Sequence, residues 1–353
     1  MSAPAGFGAA TAGLHVVEAA AGLPRHVRKV LSPAAGNVLG IGPGIGLDQG
    51  DCHYWARERD FYRAVAAGGD PLGAAGTALR PPRVLDLRDR PDGSAVLALE
   101  YVPDAGGDGP DHYRRLALHL GAFNGAALRR PAADPQAWLS RGWLRWWFGA
   151  TVPATVAGLR RLPADARAEL ARVVDPDRAV ARATAVWRAR AALLDALDRA
   201  PLTLSHLDAH RRNLLTAPSG QVVAIDWSYV GFEALGADAA QLFASSAART
   251  LIPGGALDEY RAAVLDGYLA GLRGAGVPPD LCDRVPHCFD LAVCARWGAT
   301  QLFWARHLTD PAARRALELR WWARPYRDAA PDLAHLDRFL ARLDLTALTG
   351  GLP

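Results

Sequence analysis

His206, Asp208, Asn213 and Asp226 are the residues of this chain whose types and spacing can do chemistry together. The first three fall in Leu204-Ser205-His206-Leu207-Asp208-Ala209-His210-Arg211-Arg212-Asn213-Leu214-Leu215, and the fourth in Val222-Val223-Ala224-Ile225-Asp226-Trp227. Asp208 follows a short apolar run that reads as a strand, and Asn213 stands where the chain re-enters one. The turn Ala217-Pro218-Ser219-Gly220 folds a second strand back, so Asp226 returns beside them at one mouth. Asp226 and Asn213 offer hard oxygen ligands of the kind Mg²⁺ takes. Asp208 stays free to accept the proton of a hydroxyl. Phosphoryl transfer asks for this set: neutralised phosphates, an oriented nucleophile and little covalent chemistry from the protein.

The pattern H-x-D-x-x-x-x-N, followed by a strand ending in I-D-W, resembles the aminoglycoside phosphotransferase family, which is similar to choline kinases and to the protein-kinase fold. His206, Asp208, Asn213 and Asp226 match it position by position. Gly231…Gly236-Ala237-Asp238-Ala239-Ala240 resembles the family's following G…D-L-A segment. The likeness reads from Lys29 to about residue 310. It implies ATP (or GTP) and Mg²⁺, with Asp208 as the base that orients the acceptor hydroxyl and Asn213 and Asp226 holding the metal. His206 would brace the loop, and Asp238 would be structural. The implied fold is α+β and bilobal, protein-kinase-like, with a small antiparallel-sheet lobe and a larger, mostly helical lobe carrying an inserted β-hairpin.

The same resemblance asks for a lysine on a small-lobe strand, in contact with the α- and β-phosphates and held by a helix glutamate. Lys29, in His26-Val27-Arg28-Lys29-Val30-Leu31, is the only lysine in the chain, against 39 arginines. A surviving lysine is a compact point charge where almost every other cation is a planar fork. Glu58, in the helical run Tyr54–Val65, is its expected partner. Leu97–Pro103 resembles the strand and hinge whose backbone meets adenine, which assigns nucleotide contacts to Glu100, Tyr101 and Val102. Only 28 residues precede Lys29, with Ala21-Gly22-Leu23-Pro24 as the one turn, so the loop that covers the phosphates is expected to be reduced. The glycine run Gly40-Ile41-Gly42-Pro43-Gly44-Ile45-Gly46 comes after the lysine and fails G-x-G-x-x-G; it reads as a flexible loop.

These residues need elements to carry them. Residues 1–13 read as loose, Leu14–Glu18, His26–Leu31, Val84–Leu87 and Ala95–Val102 as strands, and Arg90-Pro91-Asp92-Gly93 as a turn. Val102-Pro103 and the run to Asp111 mark a hinge, dividing a nucleotide-binding lobe (1–103) from a helical lobe (104–353) with the catalytic loop, metal site and acceptor pocket. Tyr113–Leu128, Trp138–Phe148, Ala164–Val174 and Arg178–Leu197 show helical spacing. Leu202–Ser205 and Val222–Ile225 read as strands, and helices resume from about residue 236.

Composition excludes other classes. The 353 residues are half hydrophobic and 22% charged, which is globular. The net charge of +4 is spread without a basic block, and Arg306–Arg327, the most arginine-rich stretch, reads as a solvated helix face, so no nucleic-acid partner is expected. Four cysteines without C-x-x-C, three of them near His287, read as small buried hydrophobes rather than metal ligands. No signal peptide or membrane span is read, and a cytoplasmic protein is expected.

The acceptor is the open question of the sequence. Tryptophans cluster at Trp138, Trp143, Trp146, Trp147, Trp297, Trp304, Trp321 and Trp322, and Trp297, Gln301 and Trp304 fall on one helix face. Core packing and an aromatic wall that stacks on substrate both account for that spacing. Acids and arginines balance in the last hundred residues, so a polycationic aminoglycoside is not specified. The leading reading is a phosphotransferase acting on a hydroxyl of a small molecule, an antibiotic or a secondary metabolite. The alternatives are a kinase for Ser/Thr of a biosynthetic peptide and a non-catalytic kinase-fold binding protein.

Overall fold

The computed structural model describes residues 10–19, 22–35, 46–69, 79–128 and 136–350. The glycine run from 40 to 45, Ala21 of the expected turn and most of the loose N-terminus lie outside the described residues. In chain order the first elements are β1 (Thr11–Val17), β2 (His26–Leu31), α1 (Arg57–Ala66), β3 (Leu79–Arg80), β4 (Val84–Asp89) and β5 (Ala95–Glu100). Four of these strands form an antiparallel sheet in the order β1-β2-β5-β4. Among the described residues a single strand, β1, precedes the strand of Lys29. Lys29 pairs with Leu14 on one side and Leu97 on the other, and it shares its face with buried Leu31. Period-two alternation thus turns the one ammonium inward, toward α1. The β4–β5 turn forms as the sequence predicts: Asp92 accepts from the Ser94 backbone at 2.9 Å, and Gly93 has a φ of 77°.

The helix read over Tyr54–Val65 begins at Arg57, because Tyr54 is held in a bridge to Gly46. Then come α2 (Pro110–Leu128), β6 (Ser140–Arg141), α3 (Trp143–Arg160), α4 (Ala164–Leu170), α5 (Pro176–Arg188) and α6 (Arg190–Asp198). The expected Trp138–Phe148 helix starts late. Ser140 pairs with Gly231, and Gly142, with a φ of 64°, turns the chain into α3. The expected single helix Arg178–Leu197 is two. Its buried stripe runs Ala179, Ala183, Val186, and an unbroken helix would carry Arg190 into that stripe. The break at Ala189 turns Arg190 out over the Trp187 ring at 4.8 Å.

The strands β7 (Leu202–Ser205), β8 (Leu214–Thr216), β9 (Val222–Ala224) and β10 (Gly231–Ala234) build two small sheets, β6-β10-β7 and β3-β9-β8. The antiparallel β8–β9 hairpin is the insertion among helices that the sequence predicts, and β3 adds to it in parallel. The remainder is helical: α7 (Ala237–Ala240) and α8 (Ser246–Ala248) joined by a π-turn, α9 (Leu257–Gly274), α10 (Pro279–Trp297), a 3₁₀ run Thr300–His307, α11 (Pro311–Ala316), α12 (Tyr326–Ala341) and α13 (Leu345–Thr349). No described helix is long and apolar enough to cross a membrane. The four cysteines are free and buried. In the arginine-rich stretch, Arg324 is not simply solvated, since it binds Asp332 and the Thr250 hydroxyl.

The helices α2 and α9 cross with almost no space between backbones. A Cβ on Gly267 would meet the Arg114 carbonyl at 2.0 Å, and one on Gly271 the Leu118 carbonyl at 2.1 Å. Gly267→Ala therefore drives a methyl into backbone that cannot yield without moving α2. It should cost about 1–3 kcal/mol, read as a lowered thermal midpoint, whereas Gly274→Ala at the open end of α9 should cost nothing. Equal midpoints for the two variants would show that the crossing is not tight.

A second stability prediction comes from His53. Its ring lies 3.9 Å from that of Trp146, and both ring nitrogens are buried without a partner among the described residues. Burial pushes its pKa down to about 4, so the folded chain keeps the neutral ring while an unfolded chain takes up a proton near the ordinary value of 6.5. The unfolded state then binds more protons, and stability falls as pH is lowered from about 6.5 to about 4. His53→Phe should make that acid slope shallower in denaturant titrations; an unchanged slope would remove His53 as a contributor.

Candidate active site

Lys29 is the centre of one half of the site. Its Nζ lies 2.6 Å from Glu58 Oε2 on α1 and 3.0 Å from Asp226 Oδ1, just past β9. Burial opposes the ammonium, but the two carboxylates outweigh it and hold the Lys29 pKa above its ordinary value. Burial pushes Glu58 up to about 7, with Lys29 pulling it down and Asp226 adding to the rise. Asp226 moves the other way: burial is outweighed by Lys29 and by a bond from Ser228, and the carboxyl is held below the usual range. The pairing expected from sequence, Lys29 with Glu58, is present. The structure adds Asp226 to it.

The other half is the loop after β7. The Asp208 backbone N–H donates to His206 Nδ1 at 3.2 Å, and His206 Nε2 lies 2.9 Å from the Ile225 carbonyl. A carbonyl only accepts and an amide N–H only donates, so the neutral ring carries its proton on Nε2. His206 thereby ties the loop to the strand that delivers Asp226, with its ring 4.4 Å from that of Trp227. Asn213 Nδ2 donates to the Asp208 carbonyl at 2.9 Å and to Asp208 Oδ2 at 3.1 Å, which leaves its oxygen uncommitted. Leu207 and Asp226 are non-glycine residues at φ of 66° and 63°. Such strain persists only where the surroundings over-determine it.

Asp238 supplies that restraint. Its carboxylate accepts from the backbone N–H groups of His206 (2.9 Å) and Leu207 (2.8 Å) and from Asn124 Nδ2 (3.1 Å). Asn124, on α2, in turn accepts from the Tyr268 hydroxyl of α9 at 2.7 Å. The close helix pair is thus wired to the strained loop.

The donor set suits a hard dication. Asn213 keeps a free amide oxygen, and no described residue donates to Asp226 Oδ2. Among the described residues no cluster of three or more His, Cys, Asp or Glu could hold a metal alone. One carboxylate and one amide oxygen are too few for a protein cage, but they are what Mg²⁺ uses when phosphate oxygens and waters complete its shell.

Glu100, Tyr101 and Val102 lie at and beyond the end of β5. The Glu100 carboxylate is taken by Arg80 at 2.7 Å and by the Arg83 backbone at 3.0 Å, so only its backbone is available to a ligand. Tyr101 carries the Arg25 guanidinium 4.2 Å above its ring. Val102 packs in a small apolar cluster with Ala217 and Val223.

Two arginines that sequence reading did not single out stand beside Asp208. Arg296, near the end of α10, donates to the Leu207 carbonyl at 3.0 Å and approaches Asp208 Oδ1 at 3.4 Å. The Trp143 ring backs it at 4.4 Å and the Trp147 ring at 5.2 Å. Arg249 follows α8 and lies 3.8 Å over the Trp321 ring. Burial raises the Asp208 pKa, with Arg296 and Arg249 opposing and Asp226 adding to the rise. Among 39 arginines, no local pattern marks these two.

Of the two readings of Trp297, Gln301 and Trp304, the structure bears out core packing and not an aromatic wall. All three are almost fully buried, and Gln301 binds Asp337 at 2.6 Å. The α-helix ends at Trp297 and a 3₁₀ run starts at Thr300, so the assumed common helix face does not exist.

A family model, the phosphotransferase enzyme family, matches residues 51–277, more than half of the chain. Lys29 lies ahead of that match. No curated protein is similar enough to the chain to count as a match. Among solved structures, the amicoumacin kinase hAmiN in complex with AMP-PNP and Ca²⁺ superposes with a TM-score of 0.52 at 13% identity, over 95% of this chain and 88% of that one. An aminoglycoside phosphotransferase from Alicyclobacillus acidocaldarius has a TM-score of 0.48 at 18% identity, covering 95% and 94%. Plasmodium vivax ethanolamine kinase has 0.49 at 11%, covering 95% and 83%. The α+β, kinase-like architecture and the family match agree, and the chain belongs to the phosphotransferase enzyme family.

Proposed function

We propose that the chain transfers the γ-phosphoryl group of ATP to a hydroxyl of a small molecule, with residues 1–103 holding the nucleotide and residues 104–353 the acceptor. The observation that carries this reading is the convergence of Lys29, Glu58 and Asp226 in one ion-paired cluster, with Asp208 and Asn213 on the adjoining hairpin. Asp208 accepts the acceptor's hydroxyl proton. The oxygen so exposed forms the new P–O bond, the β–γ bridging P–O bond breaks, and ADP leaves. Asn213 orients Asp208 through its amide N–H and offers its oxygen to Mg²⁺, together with Asp226. Bound there, Mg²⁺ neutralises phosphate oxygens as charge shifts to the leaving group. Lys29 brings a point charge to the phosphates, and Glu58 and Asp226 hold it in place. The backbone of Glu100 to Val102 meets the base.

Arg is longer than Lys and forked, and the cavity between Glu58 and Asp226 is built around a single nitrogen 2.6 Å and 3.0 Å from its partners. In an ADP-release assay with a panel of hydroxylated acceptors, Asp208→Ala should lower turnover by about 10²–10⁴-fold while Mg·AMP-PNP still binds. Lys29→Arg, with charge retained, should also lose phosphate transfer. Full activity of Asp208→Ala would remove it as the base, and normal kinetics of Lys29→Arg would leave the single lysine without a special task.

A further inference from the structure

From the arginines around Asp208 we infer that the acceptor carries an anionic group, a carboxylate or phosphate, bound by Arg249 and Arg296 next to the hydroxyl that is phosphorylated. The inference rests on the phosphotransferase reading above and names the acceptor class of that same site.

Arg249 is 8% exposed, yet among the described residues its guanidinium makes no hydrogen bond and no ion pair. Its guanidinium lies over the Trp321 ring at 3.8 Å. A cation against an aromatic face gains far less than a buried, unpaired charge costs. Burial pushes its pKa down to about 10, with Asp208 the largest opposing influence. Arg296 is 6% exposed, and its Nε has no partner. Its contact with Asp208 is long, at 3.4 Å.

The local carboxylates do not balance these charges. Asp226 is engaged by Lys29. Asp208 is the carboxylate that acts most on both Arg296 and Arg249, with Arg212, held by the Arg320 and Trp321 carbonyls, close enough to act on neighbouring His210. His210 is buried, and burial together with these three arginines keeps its ring neutral, so it adds no charge. The side of the excess is also defined. Asp208 Oδ2 faces Asn213, the candidate metal ligand, whereas Oδ1 faces Arg296. Arg296 therefore lies on the side of the carboxylate away from Asn213, which leaves that side for the acceptor in this reading. A polycationic acceptor would meet like charge there, and an anion supplies the partner that the Arg249 fork lacks.

The test is calorimetric titration of the chain saturated with Mg·AMP-PNP, at fixed ionic strength set with chloride. The probes are sulfate and three matched triols or their analogues: glycerate, glycerol and 3-amino-1,2-propanediol. Sulfate and glycerate should bind, with glycerol and the amine weaker by about tenfold or more. Arg249→Met should lose about tenfold or more of the anion affinity, and Arg249→Lys should retain part of it; Mg·AMP-PNP binding by each variant shows that it is folded. Equal affinity for the three organic probes, preference for the amine, no anion binding, or anion binding indifferent to Arg249→Met would each overturn the inference while leaving the phosphotransferase reading intact. A folded chain that binds no Mg·AMP-PNP would overturn that reading, and this inference with it.

Discussion

One ammonium between two carboxylates holds the site together. Lys29 sits on an apolar strand face, where a charge without partners would not be tolerated, and its two partners come from different elements, α1 and the end of the β8–β9 hairpin. Glu58 would not be buried there without it, and half-buried Asp226 pairs with the same ammonium. Removing either member of the buried Lys29–Glu58 pair leaves an uncompensated charge and costs about 3–5 kcal/mol. Sheet, helix and hairpin must therefore be in register for any of the three charges to be stable. The energetic weight of the cluster lies less in net stability than in fixing how the β1-β2-β5-β4 sheet meets the rest of the chain.

A second restraint works on the opposite side of the hairpin. Leu207 adopts a left-handed backbone that its side chain disfavours, and the loop keeps it because Asp238 accepts two successive backbone N–H groups there. Asp238 is steadied by Asn124, and Asn124 by Tyr268. That chain of bonds needs α2 and α9 close together, which their small residues permit. His206 closes the arrangement by bridging Asp208 and Ile225 through opposite ring nitrogens. The geometry of Asp208 is thus paid for by packing far from it.

The residues of the hairpin were legible because they are local. His206, Asp208, Asn213 and Asp226 lie within a short stretch, and strand alternation plus one turn suffice to bring them together. Lys29 was legible for a different reason: it stands out against an arginine background, so its rarity carried information. Core packing of the tryptophans held, while the shared helix face did not, because the Thr300 hydroxyl's bond to the Arg296 carbonyl lies where α10 gives way to the 3₁₀ run. The split at Ala189 was missed because helical periodicity reports a face and not where a charged residue forces that face to turn.

By itself the sequence determined the α+β class, the strand of Lys29 to the residue, the hairpin that carries Asn213 and Asp226, and a set of groups whose chemistry suits phosphate and a hydroxyl proton. These follow from spacing along the chain, and spacing is a local property. Only the tertiary structure decided which charges lack partners. Arg249 and Arg296 look like any other arginine in the chain until folding buries them beside Asp208, 41 and 88 positions away, without enough carboxylates to match. Whether a charge is satisfied depends on what surrounds it in space, and no count of residue types along the chain contains that sum.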